Sequence, residues 1–270
     1  MNLTNFTRRA ARVGQRLLSK LGRRIDFPRQ YREFAHRSRL LQRDLTVLWR
    51  NRYPILDEAT PTTLLTKHYV YFPAWAARKL QELSPARHVD ISSYLPFVTM
   101  VSAFIPTEFY DYRPAPVRLS SLTTGRCDLT QLQFPDDSIS SLSCLHVVEH
   151  IGLGRYGDAL DPEGDLKAVQ ELARVLAPGG TLLFAAPMGR PRVEFNAHRI
   201  YSYQQVRQFF AGLTLIEFAL IPDNETEVGM IPSASEALCD AQDHGCGCFV
   251  FQKPPSREAT HSAVKVRLDA

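Results

Sequence analysis

Apolar positions recur along this chain with two different periods, and the change falls near Ser84 and Pro85. From Asn5 to Arg24 (NFTRRAARVGQRLLSKLGRR), Phe6, Ala10, Val13, Leu17, Leu18 and Leu21 repeat at steps of three and four, which predicts a helix with one apolar stripe. Residues 28–83 continue with helical spacing, broken by Pro54, Pro61 and Pro73. There the aromatic cluster Tyr69, Tyr71, Phe72 and Trp75 reads as the core of a helical cap or as a cover over a ligand site. Beyond Pro85, short apolar runs alternate with longer amphipathic segments, the pattern of a parallel sheet with crossover helices. Strands are expected at 88–92, 107–112, 125–129, 139–146, 181–187, 214–220 and 246–253, and helices at 94–104, 163–176 and 202–210. The expected architecture is a seven-stranded doubly wound α/β sheet (85–254) preceded by a basic helical extension and cap (1–84) and followed by a loose polar tail (255–270).

Charge adds an asymmetry to this picture. Up to Arg52, fourteen Lys and Arg face three acids, about +11; beyond it eighteen bases face twenty-five acids, about −7. The stripe of residues 5–24 is therefore flanked by seven bases and no acid. Such a helix suits an anionic membrane surface, nucleic acid or an Arg-rich transit peptide, or else packs on the domain as a solvated face. Peripheral membrane contact is the partner expected for it; nucleic acid is not expected. No run of eighteen apolar residues occurs and no secretory signal pattern opens the chain, so a cytoplasmic location is expected. Five cysteines at irregular spacing do not read as a disulfide framework.

The segment CDLTQLQFPDDSISSLSCLHVVEHIG places a strand ending at Asp128, a polar turn and an apolar strand running into HVVEH. Then DLKAVQELARVLAPGGTLLFAAP gives a helix, a turn at Pro178, Gly179 and Gly180, and a strand. This succession resembles class I S-adenosylmethionine-dependent methyltransferases, whose Rossmann-like sheet binds ligands at the carboxyl ends of its strands. The blocks HVVEHIGLGRYGD and FNAHRIY further resemble a bacterial and nematode methyltransferase-like family known as a domain of unknown function, over roughly residues 68–253. That family supplies no reaction.

The resemblance implies S-adenosylmethionine as cofactor, with Asp90, Ser92, Asp111, Asp128, Leu129 and His146 as its binding residues. Asp111 corresponds to the acid that accepts from the ribose diol, although Arg113 or Arg118 could claim it instead; Asp128 corresponds to the residue beside adenine. The first-strand loop departs from the family, because Ser92, Tyr94 and Pro96 stand where glycines are expected, Tyr94 adding bulk and Pro96 removing a donor. Pro96 nevertheless suits the first turn of a helix.

The HVVEH and FNAHRIY blocks are expected to converge as an acceptor site, with Glu149, His150 and His198 as catalytic residues. A divalent metal is considered as a second cofactor on those three residues, with Glu194 as a further ligand; a histidine base and a structural His–Glu network are the alternatives. Arg155 with Tyr156, and Arg190, Arg192 and Arg199, would add positive charge suited to an acidic, phosphorylated or sugar-nucleotide acceptor. Cys239, His244, Cys246 and Cys248 invite a zinc reading, but Cys246 and Cys248 alternate on a strand, where both read as small core residues.

The expected function is methyl transfer to a small-molecule or saccharide-type acceptor. The rivals are a catalytically inactive methyltransferase-like binding or scaffold protein and a Rossmann oxidoreductase, the second opposed by the lack of any G-x-G-x-x-G turn.

Overall fold

A computed structural model describes residues 25–42, 44–63, 65–223 and 229–255. The helix expected over residues 5–24 and nearly all of the tail lie outside the described residues. The chain divides into two compact units between Leu65 and Thr66. In the first, helix α1 (25–40) is followed by a single 3-10 turn, Trp49–Asn51, whose indole packs edge-on against Tyr31 at 4.8 Å.

The second unit opens with α2 (Lys67–Leu83), so the helix assigned to the cap is part of the same unit as the sheet. There follow β1 (His88–Ile91), α3 (Leu95–Val101), β2 (Thr107–Asp111), β3 (Leu122–Arg126), β4 (Ile139–Leu145), α4 (Gly164–Val175), β5 (Leu176–Met188), β6 (Arg192–Glu194), β7 (His198–Ile200), α5 (Tyr203–Phe209), β8 (Thr214–Ile221), β9 (Ile231–Pro232), α6 (Glu236–Asp240) and β10 (Gly245–Gln252).

The main sheet has eight strands in the order β3-β2-β1-β4-β5-β10-β8-β9. β1 to β5 run parallel, and β10 lies antiparallel between β5 and β8. This is the doubly wound α/β arrangement expected, with one strand more than anticipated. The addition, β9, is two residues long and pairs only at the edge, through Ala219↔Pro232 and Leu220↔Ile231. β6 and β7 form a separate two-stranded ribbon within a segment read as polar loop.

Alternating side chains divide the core into two layers. On one face Phe72, Trp75 and Leu80 of α2 and Phe97, Val98 and Val101 of α3 pack on Leu145, Leu183, Ala185, Cys246 and Cys248. On the other, Val169, Leu172 and Val175 of α4 and Val206 of α5 pack on Val89, Ile91, Leu142, Phe184 and Phe249. Burying these side chains contributes roughly 1.5–3 kcal/mol each.

The third strand is a correction: it runs over Leu122–Arg126, not 125–129. Gly125, read as its start, lies in its interior, where the Tyr110 ring crosses the neighbouring strand so closely that a Cβ would sit 2.6 Å from its edge. Cys127, Asp128 and Leu129 consequently follow the strand, at the sheet's carboxyl edge. The Pro178–Gly180 turn falls inside β5, where the register shifts and Gly179 takes φ +76°.

Candidate active site

The carboxyl ends of β1 to β4 open onto two adjoining cavities. One, of about 160 Å³, is lined by Ser92, Tyr112, Cys127, Asp128, Leu129, Thr130 and the loop from Ile151 to Gly164. The other, of about 150 Å³, shares Ser92, Tyr112, Ile151 and Tyr156 and adds Asp111, Arg113, His146, Val147 and His150. A polar trough thus crosses the strand ends where doubly wound sheets take ligands.

Asp111 does not pair with a guanidinium. Its Oδ1 accepts from the backbone N of Arg113 (2.6 Å), while Arg113 stacks its side chain over Tyr156, 4.4 Å from the ring centre. Asp128 closes an Asx turn, its Oδ1 accepting from Thr130 N (2.8 Å) and Thr130 Oγ1 (2.7 Å). In each acid the second oxygen takes no hydrogen bond among the described residues.

Asp90, expected among the cofactor residues, lines neither cavity and is fully buried. Its Oδ1 accepts from Ser93 N (3.0 Å), its Oδ2 accepts from Ser143 Oγ, and Ser143 in turn meets His88 Nε2 at 2.8 Å. Burial pushes the Asp90 carboxyl up to about 7 against the hydrogen bonds from Ser143 and Ser93, and lowers the His88 imidazole to about 3. Asp90 therefore holds the loop from within, and Ser93 Oγ adds a bond from Leu145 N (2.9 Å).

Above this support, Ser92 adopts φ +57°, the left-handed conformation a glycine would supply, and its N–H donates to Tyr110 O (2.8 Å). Tyr94 turns its ring onto Tyr69 of α2, 5.3 Å away, and lines neither cavity. Pro96 sits in the first turn of α3, where a missing N–H leaves nothing unsatisfied.

After β4 the chain makes a 3-10 turn, Val148–His150, and a tight loop built on glycines. Gly152, Gly154 and Gly157 all have positive φ, and Asp158 gathers the turn, accepting from Gly152 N (2.8 Å) and Tyr156 N (3.1 Å). The β6–β7 ribbon meets this loop as the two sequence blocks suggested. Arg155 donates to Ala197 O (2.9 Å), and Arg199 donates to Ile151 O (2.6 Å). His150 Nδ1 lies 2.7 Å from Ala197 O and 3.1 Å from Arg155 Nη1, and its Nε2 faces Glu149 Oε1 at 3.6 Å. Burial lowers the His150 pKa, keeping the ring neutral.

Glu149 and His198 are not at the trough. Glu149 is fully buried and accepts from His146 Nδ1 at 2.7 Å. Burial works to raise its pKa, but the charge and hydrogen bond of His146 hold it below the usual range. Burial likewise opposes protonation of His146, whereas the Cys246 sulfur and Glu149 raise its pKa; because burial also pushes the Cys246 thiol well up, Glu149 carries that effect. His198 stacks on His244 at 4.8 Å, and its Nε2 lies 3.1 Å from Glu194.

Glu149, His150 and His198 do not form a ligand set, which corrects the metal expectation. The sole His/Cys/Asp/Glu group of metal-binding spacing among the described residues is His68, His146 and Cys246. The four arginines expected at this edge each meet a partner within the chain. Arg190 and Arg192 face Asp243 and Glu194, Arg199 is buried against carbonyls and Asp165, and Arg155 is held as above. Cys246 and Cys248 are core residues on one face, and Cys239 lies in the core on the other.

Reading the sequence missed Tyr112, which lines both cavities, and the loop-forming role of Asp158. Three glycines within six residues, followed at once by Asp158, were the signal for the second.

A family model described as "Caenorhabditis protein of unknown function, DUF268" matches residues 118–235. No curated protein matches the chain in sequence. Among solved structures the chain is similar to the 1,6-didemethyltoxoflavin-N1-methyltransferase of Burkholderia thailandensis, solved with bound 1,6-didemethyltoxoflavin and S-adenosylhomocysteine (12% identity, 86% of this chain and 90% of that one, TM-score 0.49). It is also similar to a putative sarcosine dimethylglycine methyltransferase from Galdieria sulphuraria (16% identity, 67% and 85%, TM-score 0.48). A third is the N-methyltransferase NodS from Bradyrhizobium japonicum in complex with S-adenosylhomocysteine (16% identity, 68% and 88%, TM-score 0.46).

Proposed function

We propose that the chain is a S-adenosylmethionine-dependent methyltransferase acting on a small-molecule or saccharide-type acceptor. One observation carries the reading: the trough at the strand ends runs from Asp128 past Ser92 and Asp111 to His150. Its length suits an extended nucleoside with a charged tail, and its acids suit the polar edges of one. Asp111 would accept from the ribose hydroxyls, and Asp128 with Leu129 would bound the adenine.

The cofactor supplies an already activated methyl group, so the chain has to align an acceptor and remove its proton. His150 suits that task, because it lines the trough, is held by Ala197 and Glu149, and has its pKa lowered by burial. His150 would take the acceptor's N–H or O–H proton, and S-adenosylmethionine, held by Asp111 and Asp128, would supply the methyl group. For the basic segment of residues 5–24 we propose a cytoplasmic protein touching an anionic membrane surface, which co-sedimentation of the full chain with anionic but not neutral vesicles would test.

Calorimetry with S-adenosylmethionine and S-adenosylhomocysteine tests the cofactor reading. Wild type should bind both, and Asp111→Ala should lose about 2 kcal/mol, roughly thirtyfold in affinity. No heat at millimolar ligand would overturn the enzyme and favour the inactive binding protein.

A further inference from the structure

His68, His146 and Cys246 bring one ligand atom each to within 4.8 Å of one another, from the first turn of α2, the end of β4 and the start of β10. We propose that these three side chains hold a zinc ion, a site separate from the acceptor chemistry of His150. The donor set is the first argument. A thiolate with two imidazoles is the borderline-soft combination that selects zinc over magnesium or calcium, and three protein ligands leave a fourth position for water.

The second argument is the state of His146. Its ring is buried, Nδ1 donates to Glu149 Oε1 at 2.7 Å, and Nε2 has no hydrogen-bond partner. A carboxylate on the far nitrogen is the support that metal-bound histidines ordinarily receive, since it fixes the ring and sharpens the basicity of the other nitrogen. Glu149, which lines neither cavity, thereby gains a role as the residue that positions His146.

The third is access. Cys246 is enclosed, but His68 and His146 are only partly buried, and His68 packs its ring 5.1 Å from that of His244, so the approach runs along the start of α2. As the ion binds, the S–H bond of Cys246 and any N–H at His146 Nε2 give way to bonds to zinc, and the protons leave to solvent. The ion would tie α2 to β4 and β10 beside the trough that His146 lines.

The experiment uses the full chain, freed of metal by chelation and titrated with Zn²⁺ alone and with Co²⁺ as spectroscopic probe. One zinc per chain is expected at micromolar concentration, and the Co²⁺ form should show a thiolate-to-metal charge-transfer band. His68→Gln and Cys246→Ser should each weaken binding at least tenfold, the band vanishing in the second, and Glu149→Gln should weaken it about 10–100-fold with the band retained. A folded wild-type chain that takes up no zinc, a Co²⁺ spectrum without the thiolate band, or uptake unchanged in His68→Gln would each overturn the site. The wild-type spectrum decides the matter even if a variant fails to fold.

Discussion

Two loops leave the carboxyl edge of the sheet side by side, after β1 and after β4, and they hold their shapes by opposite means. The loop after β4 relies on backbone freedom: Gly152, Gly154 and Gly157 take positive φ, and one carboxylate, Asp158, collects the amides they turn inward. The loop after β1 has no glycine. It is held by side chains, with Asp90 and Ser93 bonded beneath it and Ser92 forced into the left-handed region at φ +57°. A backbone path beside a ligand can therefore persist after the residue type that makes it easy has gone, provided that buried polar groups constrain it from below.

The sharpest break of this comparison is Gly152→Ala. A Cβ there would lie 2.0 Å from the carbonyl oxygen of Asp161, a backbone atom that cannot swing aside, at φ +78°. The left-handed conformation alone costs about 1–2 kcal/mol, and displacing the loop should bring the loss to about 3 kcal/mol or more, a fall in Tm of roughly 10 °C. Thermal unfolding checks this. A loss below about 1 kcal/mol would mean that the β4 loop does not depend on its glycines.

How much of this was legible follows the same division. The periodic segments from His88 to Gln252 announced the sheet, because alternation and helical spacing are local properties. β9 was not legible, being two residues long, and β3 was displaced because Gly125 reads as a turn until Tyr110 is known to lie against it. The HVVEH and FNAHRIY blocks were visible as polar segments, but not which nitrogen of His150 would face Ala197. The burial of Asp90 was hidden for a physical reason. Its partner Ser143 becomes a neighbour only when β1 pairs with β4, about fifty residues away, so an acid at a strand end read as facing the ligand edge when it is bonded beneath the loop. His68 stayed hidden likewise, since His146 and Cys246 reach it only through the tertiary fold.

A second prediction probes that internal support. Burial raises Asp90 from 3.8 to about 7, so between those values the folded chain holds a proton that the unfolded chain has released, and this contribution to stability declines as pH rises through the window. His88 acts oppositely. Burial lowers it from 6.5 to about 3, so its contribution is lost as pH falls through that range. Asp90→Asn removes only the first effect. Relative to wild type, the variant should gain stability with rising pH, by on the order of a few kcal/mol between about pH 4 and about pH 7. Urea unfolding across that range measures it, and a difference independent of pH would mean that Asp90 is ionised within the fold.

The smallest effect is expected at Ser92, where the two loops can be made alike. Ser92→Gly releases a strained φ, worth about 1 kcal/mol in the folded state, but gives the unfolded chain more freedom, worth about 0.4–1 kcal/mol in the other direction. The terms nearly cancel, so Tm should move by no more than about 2 °C. The Ser92 hydroxyl is only weakly engaged, 3.3 Å from Tyr110 O, and its loss frees room in both cavities. Cofactor affinity, read by calorimetry, should therefore stay within about threefold of wild type, a change of about 0.7 kcal/mol. A tenfold loss would show that the serine side chain itself binds the ligand. The β1 loop would then be a rebuilt contact, and not a glycine turn preserved by its supports.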